Sequence, residues 1–391
     1  MTWHGLREIM CGAGFALACR LNLFSHKEKM CSSRRRCLFI QESGAMADVK
    51  PLPKSAEVVR TVEMHTGGEP LRIVVSGLPP IVGATLLEKR RYCRQQLDHY
   101  RRLLMAEPRG HRDMYGAYLV APDHPQAHMA ALFLHNEGYS TMCGHAMMAL
   151  ARYLVDEGVV ARDPAGDTEV NIQCPCGLVR TWLGADNMVR FLSVPAFVLQ
   201  ADLRLPLPDG GTCRLDICYG GAFYAFVRAA DVGLRAGSSA AADFVREAAR
   251  VRRHVAEVGV TVRHPESDDL GFLYGVIFGD FGPLSGAGAP PPDALTLVTV
   301  FADGQLDRSP CGSGTTACCA LLHAVGRLPA DRPCTFRSVT GAEFRARVAS
   351  TSEFHQHQAV VVEVAGRAFY TGRGEFTCES DDPLAAGFLV L

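Results

Sequence analysis

The chain has 391 residues, 48% of them hydrophobic and 21% charged, with a formal net charge of −1. That profile describes a globular protein long enough for two or three domains, and the near-neutral balance gives no electrostatic case for binding nucleic acid. Nothing after residue 50 reaches an uninterrupted transmembrane length, and 15 scattered cysteines in so long a chain describe mostly free thiols in a reducing compartment.

Residues 1–46 differ from the rest. They carry Arg7, Arg20, Lys27, Lys29 and the Arg34-Arg35-Arg36 run around an apolar stretch from Met10 to Cys19. They read as a disordered N-terminal extension over residues 1–50 ahead of a cytoplasmic protein, with mitochondrial targeting by residues 1–45 as the alternative. From Val58 the pattern turns strand-like. Gly67-Gly68 then marks a tight turn before a second apolar run, Leu71 to Val75. Residues 84–105 read as helical, with Arg90, Arg91, Arg94, Arg101 and Arg102 on a solvated face. A polar, glycine-punctuated loop, Glu107 to Gly116, leads into a strand from Ala117 to Val120.

Two later stretches share one shape. Ser140-Thr141-Met142-Cys143-Gly144-His145 and Arg308-Ser309-Pro310-Cys311-Gly312-Ser313 both follow a strand-like run and lead into an apolar, small-residue helical pattern. Each pattern stops at a glycine 15 residues past its cysteine, Gly158 and Gly326. Each cysteine is therefore expected at a helix N-terminus, where free N–H groups and the macrodipole favour a thiolate.

Between and beyond these stretches the pattern is mostly β. Val170–Val179 and Val189–Val194 read as strands, and Leu205–Ile217 as a hairpin turned at Pro208-Asp209-Gly210-Gly211. Tyr219 to Tyr224 carries a second double glycine. Residues 240–258 are helical by period, and residues 282–292 form a Gly/Pro-rich loop. Cys334–Arg337, Ala359–Val364 and Ala368–Tyr370 close the chain as strands, with a short one expected over 388–391. Many strands and a few long helices predict an α+β fold of two pseudo-symmetric domains. Each is a curved, mostly antiparallel sheet around one central helix, with the active site in the cleft between them. The first takes residues 55–195 with 370–391 and carries Cys143; the second takes 196–369 and carries Cys311.

No phosphate loop, zinc-protease helix or serine elbow stands in a credible context. Cys174-Pro175-Cys176 has no second pair at ligand spacing, so buried strand cysteines are expected there and no metal site. Either Cys-Gly site alone would read as an unrelated buried thiol. Repeated, the pair suits proton removal and return at a carbon acid, with one thiolate and one thiol on opposite faces. The substrate carboxylate would be held by the N–H groups of Gly144, His145, Gly312 and Ser313. Asp307 could pair with a substrate ammonium, or be a solvated turn residue. Phe301 could wall the ring, or simply fill the core.

Long segments then carry a resemblance. Met64 to Pro70, Arg109 to Gly116, Asn136 to His145 and Asp307 to Gly314 resemble the proline racemase family, in the family's order, within a likeness covering about residues 58–391. The resemblance implies the fold shared with diaminopimelate epimerase, no cofactor, a small imino acid as substrate, and a homodimer. It implies Cα proton chemistry on proline or hydroxyproline with Cys143 and Cys311 as the acid–base pair, and Gly144, His145, Asp307, Gly312 and Ser313 at ligand-binding positions. Racemases and 4-hydroxyproline epimerases of this family carry two cysteines. Animal trans-3-hydroxyproline dehydratases resemble the flanking segments most, but place threonine where Cys311 stands. The expectation is racemisation or epimerisation, with dehydration of trans-3-hydroxy-L-proline to a pyrroline-2-carboxylate as the alternative.

Overall fold

The computed structural model describes residues 57–281 and 293–390. The N-terminal extension, the loop expected over 282–292 and the last residue of the chain lie outside that range.

The first half opens with β1 (Glu57–Thr66) and β2 (Glu69–Ser76), turned by Gly67 and Gly68, both at positive φ. Then come α1 (Leu86–Gln96), α2 (Asp98–Met105), β3 (Tyr115–Val120), β4 (Met129–His135), α3 (Gly144–Asp156), β5 (Thr168–Cys174), β6 (Gly177–Leu183) and β7 (Val189–Leu192). The second half has β8 (Ala196–Pro206), β9 (Thr212–Tyr219), β10 (Phe223–Arg228), α4 (Ala241–Glu257), β11 (Leu273–Gly279), β12 (Ala294–Phe301) and the short β13 (Gln305–Leu306). It continues with α5 (Gly312–Ala324), β14 (Cys334–Arg337), β15 (Glu343–Phe354) and β16 (His357–Gly366). The last strand, β17 (Ala368–Cys378), returns to the first half and pairs along β1.

Strand pairing exposes an internal repeat. The first half runs β17-β1-β2-β3-β4-β5-β6-β7, with β2–β3 and β4–β5 parallel and the rest antiparallel. The second runs β8-β9-β10-β11-β12-β14-β15-β16, with β10–β11 and β12–β14 parallel. The parallel pairs fall at the same two places. Each needs a crossover. The first is made by α1 and α2 or by α4, the second by α3 or α5. The second sheet closes where β16 meets β8, and the first reaches the end of β16 through β7.

Within each curved sheet lies one helix. The α3 helix packs on β1, β2, β5, β6, β7 and β17, and α5 packs on β8, β9, β10, β15 and β16. Nearly all of Gly144–Val155 and every residue of Gly312–Leu322 is buried. A helix apolar on all sides is stable only when enclosed in this way. The predicted α+β architecture is the one observed.

Several local expectations are corrected. The basic segment 84–105 is two helices that break at Leu97, and its arginines do not share one wet face. Arg91, Arg94 and Arg102 are exposed, whereas Arg90 and Arg101 are buried. Arg90 donates to the Tyr139 carbonyl, and Arg101 to the carbonyls of His135 and Asn136 and to Asp98. Their charge is used to fasten the segment that precedes Cys143. The run Val170–Val179 is not one strand: Pro175 and Cys176 turn it between β5 and β6. Four strands, β10, β11, β13 and β15, were not anticipated. Of the short strand expected over 388–391, Phe388 makes one bridge, to Glu107.

Candidate active site

The loops that end β4 and β13 bring Cys143 and Cys311 to the first residues of α3 and α5. Both are N-caps. Cys143 has an extended backbone (φ −146°), but Cys311 sits at φ 61° and ψ 103°. A side-chain-bearing residue there costs on the order of 1–3 kcal/mol, which the surrounding structure must supply. Its N–H donates to Ser309 Oγ at 3.1 Å, and its carbonyl accepts from Thr315 N at 2.7 Å. The helices meet at their next residues. A Cβ on Gly144 would lie 2.3 Å from Gly312 Cα, and one on Gly312 would lie 2.4 Å from Gly144 Cα. Glycine at both places lets two N-termini touch backbone to backbone.

One cavity opens at this contact. All eight residues singled out in the sequence line it: Cys143, Gly144, His145, Phe301, Asp307, Cys311, Gly312 and Ser313. Tyr115, Met142, Tyr224 and Tyr274 line it too and were missed. Tyr115 did stand in a quoted motif, and Tyr224 follows a double glycine. Phe301 stacks on Tyr274 at 5.6 Å between centroids and lies edge-on to Tyr115, so it both packs and walls the cavity. Asp307 is buried at 5% exposure, which removes its reading as a solvated turn residue. Its Oδ1 accepts from Ser309 N at 2.7 Å. Among the described residues no group of three or more His, Cys, Asp or Glu side chains is placed to hold a metal ion.

Electrostatics correct one expectation. Burial pushes the Cys143 thiol well up, against the pull of the Ala146 N–H and the Tyr115 hydroxyl, and the charge of Asp307 adds to the rise. Burial likewise pushes Cys311 up to about 12, again with Asp307 raising it and Tyr224, Gly314 N–H and Ser313 lowering it. Removal from water outweighs the helix N-terminus, so burial favours the thiol form at both sulfurs. His145 is held neutral, down to about 3, chiefly by burial. Its Nδ1 lies 3.1 Å from Cys143 Sγ. Asp307 rises to about 6, through burial. Behind it Glu69 is fully buried, with Oε2 accepting from Arg308 N at 2.8 Å, and burial together with Asp307 pushes it well above the carboxylate range.

Comparisons with known proteins bear on this site. A family model described as proline racemase matches residues 61–389. The human protein named trans-3-hydroxy-L-proline dehydratase is 49% identical over 354 residues, 88% of this chain and 98% of that one. Among solved structures, a probable proline racemase from Agrobacterium radiobacter is 30% identical with a TM-score of 0.77, covering 85% of this chain and 96% of that one. A hydroxyproline epimerase from Agrobacterium vitis, with trans-4-hydroxy-L-proline bound, is 25% identical with a TM-score of 0.78, covering 85% and 95%.

Proposed function

Because the chain belongs to the proline racemase family, we propose that it moves the Cα proton of proline or hydroxyproline, racemising or epimerising it without a cofactor. The observation that carries this reading is that Cys143 and Cys311 line one cavity from two helix N-termini whose glycines touch.

The substrate carboxylate lies against the N–H groups of Gly144, His145, Gly312 and Ser313, where two helix dipoles converge. Its ammonium meets Asp307. That pairing does more than orient: a cation beside Asp307 cancels the negative charge that raises both thiols. Substrate binding thus makes a thiolate affordable in a site that otherwise resists one. The first cysteine, as thiolate, takes the Cα proton, and the second delivers its own to the opposite face of the planar carbanion. The carbon gains one proton and loses one, and the two sulfurs exchange states. The proton that leaves the first cysteine on ionisation goes to solvent, because His145, held down to about 3, is too weak a base to keep it.

A second reading is favoured by the likeness to the human dehydratase over nearly all of that protein's length. In trans-3-hydroxy-L-proline the Cα hydrogen and the 3-hydroxyl lie on the same ring face. One thiolate can therefore take the Cα proton, and the thiol so formed can return it to the 3-hydroxyl on that same face as the C3–O bond breaks, so that water leaves, a pyrroline-2-carboxylate forms and the thiolate is restored. Only one cysteine is required.

L-Proline, trans-4-hydroxy-L-proline and trans-3-hydroxy-L-proline assayed side by side in deuterium oxide separate the two. Cα exchange and a change of optical rotation with either of the first two are expected. Product from the third alone assigns the chain to dehydration. Cys143→Ser should abolish every activity, and Cys311→Thr should remove racemisation while sparing any dehydration. Retention of racemisation by Cys311→Thr would refute the two-thiol mechanism.

A further inference from the structure

Each cysteine has three partners at its sulfur. At Cys311 the Gly314 N–H donates at 3.4 Å, Ser313 Oγ lies at 3.8 Å and the Tyr224 hydroxyl at 3.6 Å. Tyr224 Oη and Ser313 Oγ are themselves 2.8 Å apart. At Cys143 the partners are the Ala146 N–H, the His145 ring at 3.1 Å and the Tyr115 hydroxyl. The amide is three residues on in both cases, and the second side chain two residues on. Those two follow from the internal repeat. The tyrosines do not. Tyr115 opens β3, whose counterpart in the second half is β11, while Tyr224 lies on β10, whose counterpart is β2. Two positions unrelated by the repeat bring the same group to the same kind of atom.

Both tyrosines are buried, at 2% and 1% exposure, in a cavity walled by Phe301 and Met142. A phenylalanine would fill either space; a hydroxyl there must be hydrogen-bonded to offset its desolvation, and each has a sulfur as well as a hydroxyl within reach. We infer that Tyr115 and Tyr224 are positioning residues, each donating its phenol O–H to one sulfur when that sulfur ionises. This rests on the two-thiol reaction proposed above. A thiol can give its S–H to the phenol oxygen, as Cys311 does to Tyr224. A thiolate can only accept. On ionisation the phenol O–H turns from its hydroxyl neighbour, Ser313 for Tyr224 and Tyr274 for Tyr115, onto the sulfur. No heavy atom has to move. When Cys311 gives its proton to the carbon, Tyr224 donates to the thiolate left behind, and Tyr115 does the same at Cys143.

The other groups facing the sulfurs do not supply this. The Asp307 carboxylate opposes ionisation of both, and Arg308 acts on Asp307 and His145. Tyr274 is bonded to Ser140 and Tyr115. His145 stays neutral and Glu69 lies behind Asp307.

The test uses Tyr115→Phe and Tyr224→Phe in the full chain, read by two independent measurements. Alkylation of Cys143 and Cys311 by iodoacetamide, read peptide by peptide by mass spectrometry and titrated against pH, follows the thiolate fraction even far below the pKa. In each variant that titration should move up by about one to two units at the paired cysteine, the worth of one hydrogen bond to a charged group. Cα exchange of the substrate should fall about tenfold or more in kcat with KM changed less than about threefold. The pairing is checked in the Cys311→Ser background, where Tyr224→Phe should no longer move the titration and Tyr115→Phe still should. Replacing either tyrosine by a ring-fluorinated tyrosine keeps the shape and strengthens the donor, so the titration should move down. Superimposable titrations, or shifts that ignore the pairing, overturn the inference. Absence of Cα exchange in the parent protein would instead reject the reaction proposed above, and the alkylation titration would still decide the pairing.

Discussion

Burial holds the Asp307 carboxyl near 6, with Ser309 and Arg308 pulling it only part of the way back. Its charge is then mostly present at pH 7 and is lost as pH falls through 6. If Asp307 receives the substrate ammonium, KM should rise steeply below pH 6, and a plot of kcat/KM against pH should show an acid limb there. Stability runs the other way. The folded pKa lies above the ordinary Asp value of about 3.9, so the folded state binds the proton more tightly and gains stability as pH drops from 6 towards 4. Asp307→Asn should therefore melt no lower than the parent at pH 7 while losing about a hundredfold or more in kcat/KM, the usual scale for removing a buried charge that a ligand needs. Thermal melting and kinetics on the same samples check this; parallel losses of both would mean that Asp307 is structural. The residues of this site divide by how they could be read. Cys143, Gly144 and His145, like Cys311, Gly312 and Ser313, are neighbours in sequence, and a helix N-terminus carries neighbours to one place. Tyr115, Tyr224 and Tyr274 come from strands, whose side chains alternate between faces. Nothing in a strand's own sequence says which face will look into a cavity built by another element.

The two central helices were legible because each advertises its start and its stop. Their contact was not. It shows in Gly144 and Gly312, where an added methyl would meet the backbone of the opposite helix. Backbone cannot swing aside as a side chain can, so Gly144→Ala and Gly312→Ala should each cost about 1–3 kcal/mol and part the helices enough to abolish turnover. Gly158, which ends α3, makes the contrast. A Cβ there meets nothing within 4 Å, and only its φ of 72° resists a side chain. Gly158→Ala should cost about 1–2 kcal/mol through the backbone alone and leave turnover intact. Denaturant unfolding of the three variants, with activity, separates contact from conformation; equal behaviour of all three would show that the helix contact does not matter. The basic helices were misread for a related reason. A run of arginines says nothing about which of them will find a carbonyl far along the chain. Arg101 reaches the carbonyls of His135 and Asn136, and Asp98 answers its charge. Arg101→Ala should cost about 1–3 kcal/mol through the lost charged hydrogen bonds, and Arg101→Lys should not restore it, because an ammonium cannot span both carbonyls and the carboxylate.

At the scale of the molecule the repeat creates a difficulty that the chain resolves with its last strands. Two curved sheets, each around its own helix, could behave as two domains that unfold separately. Here β16 ends at Gly366 and β17 begins at Ala368, so a single residue carries the chain out of one sheet and into the other. Glu363–Gly366 of β16 also pairs with β7 of the first sheet, while Ala359 and Val360 pair with β8 of the second. Pulling either sheet apart removes a partner from the other and leaves long unpaired edges, at β1 in one case and β8 or β15 in the other. The paired N-termini of α3 and α5 add a second link. Scanning calorimetry should accordingly give one transition for residues 57–390, with the calorimetric and van't Hoff enthalpies equal within error, although a chain of this length commonly shows more. Two resolved transitions, or loss of the cavity's ligand binding well below the main melt, would mean that the sheets are coupled only through the glycine contact. The distinction reaches the proposed chemistry: a site made by two halves that move as one keeps its sulfurs at fixed separation, which the two-thiol transfer proposed above requires.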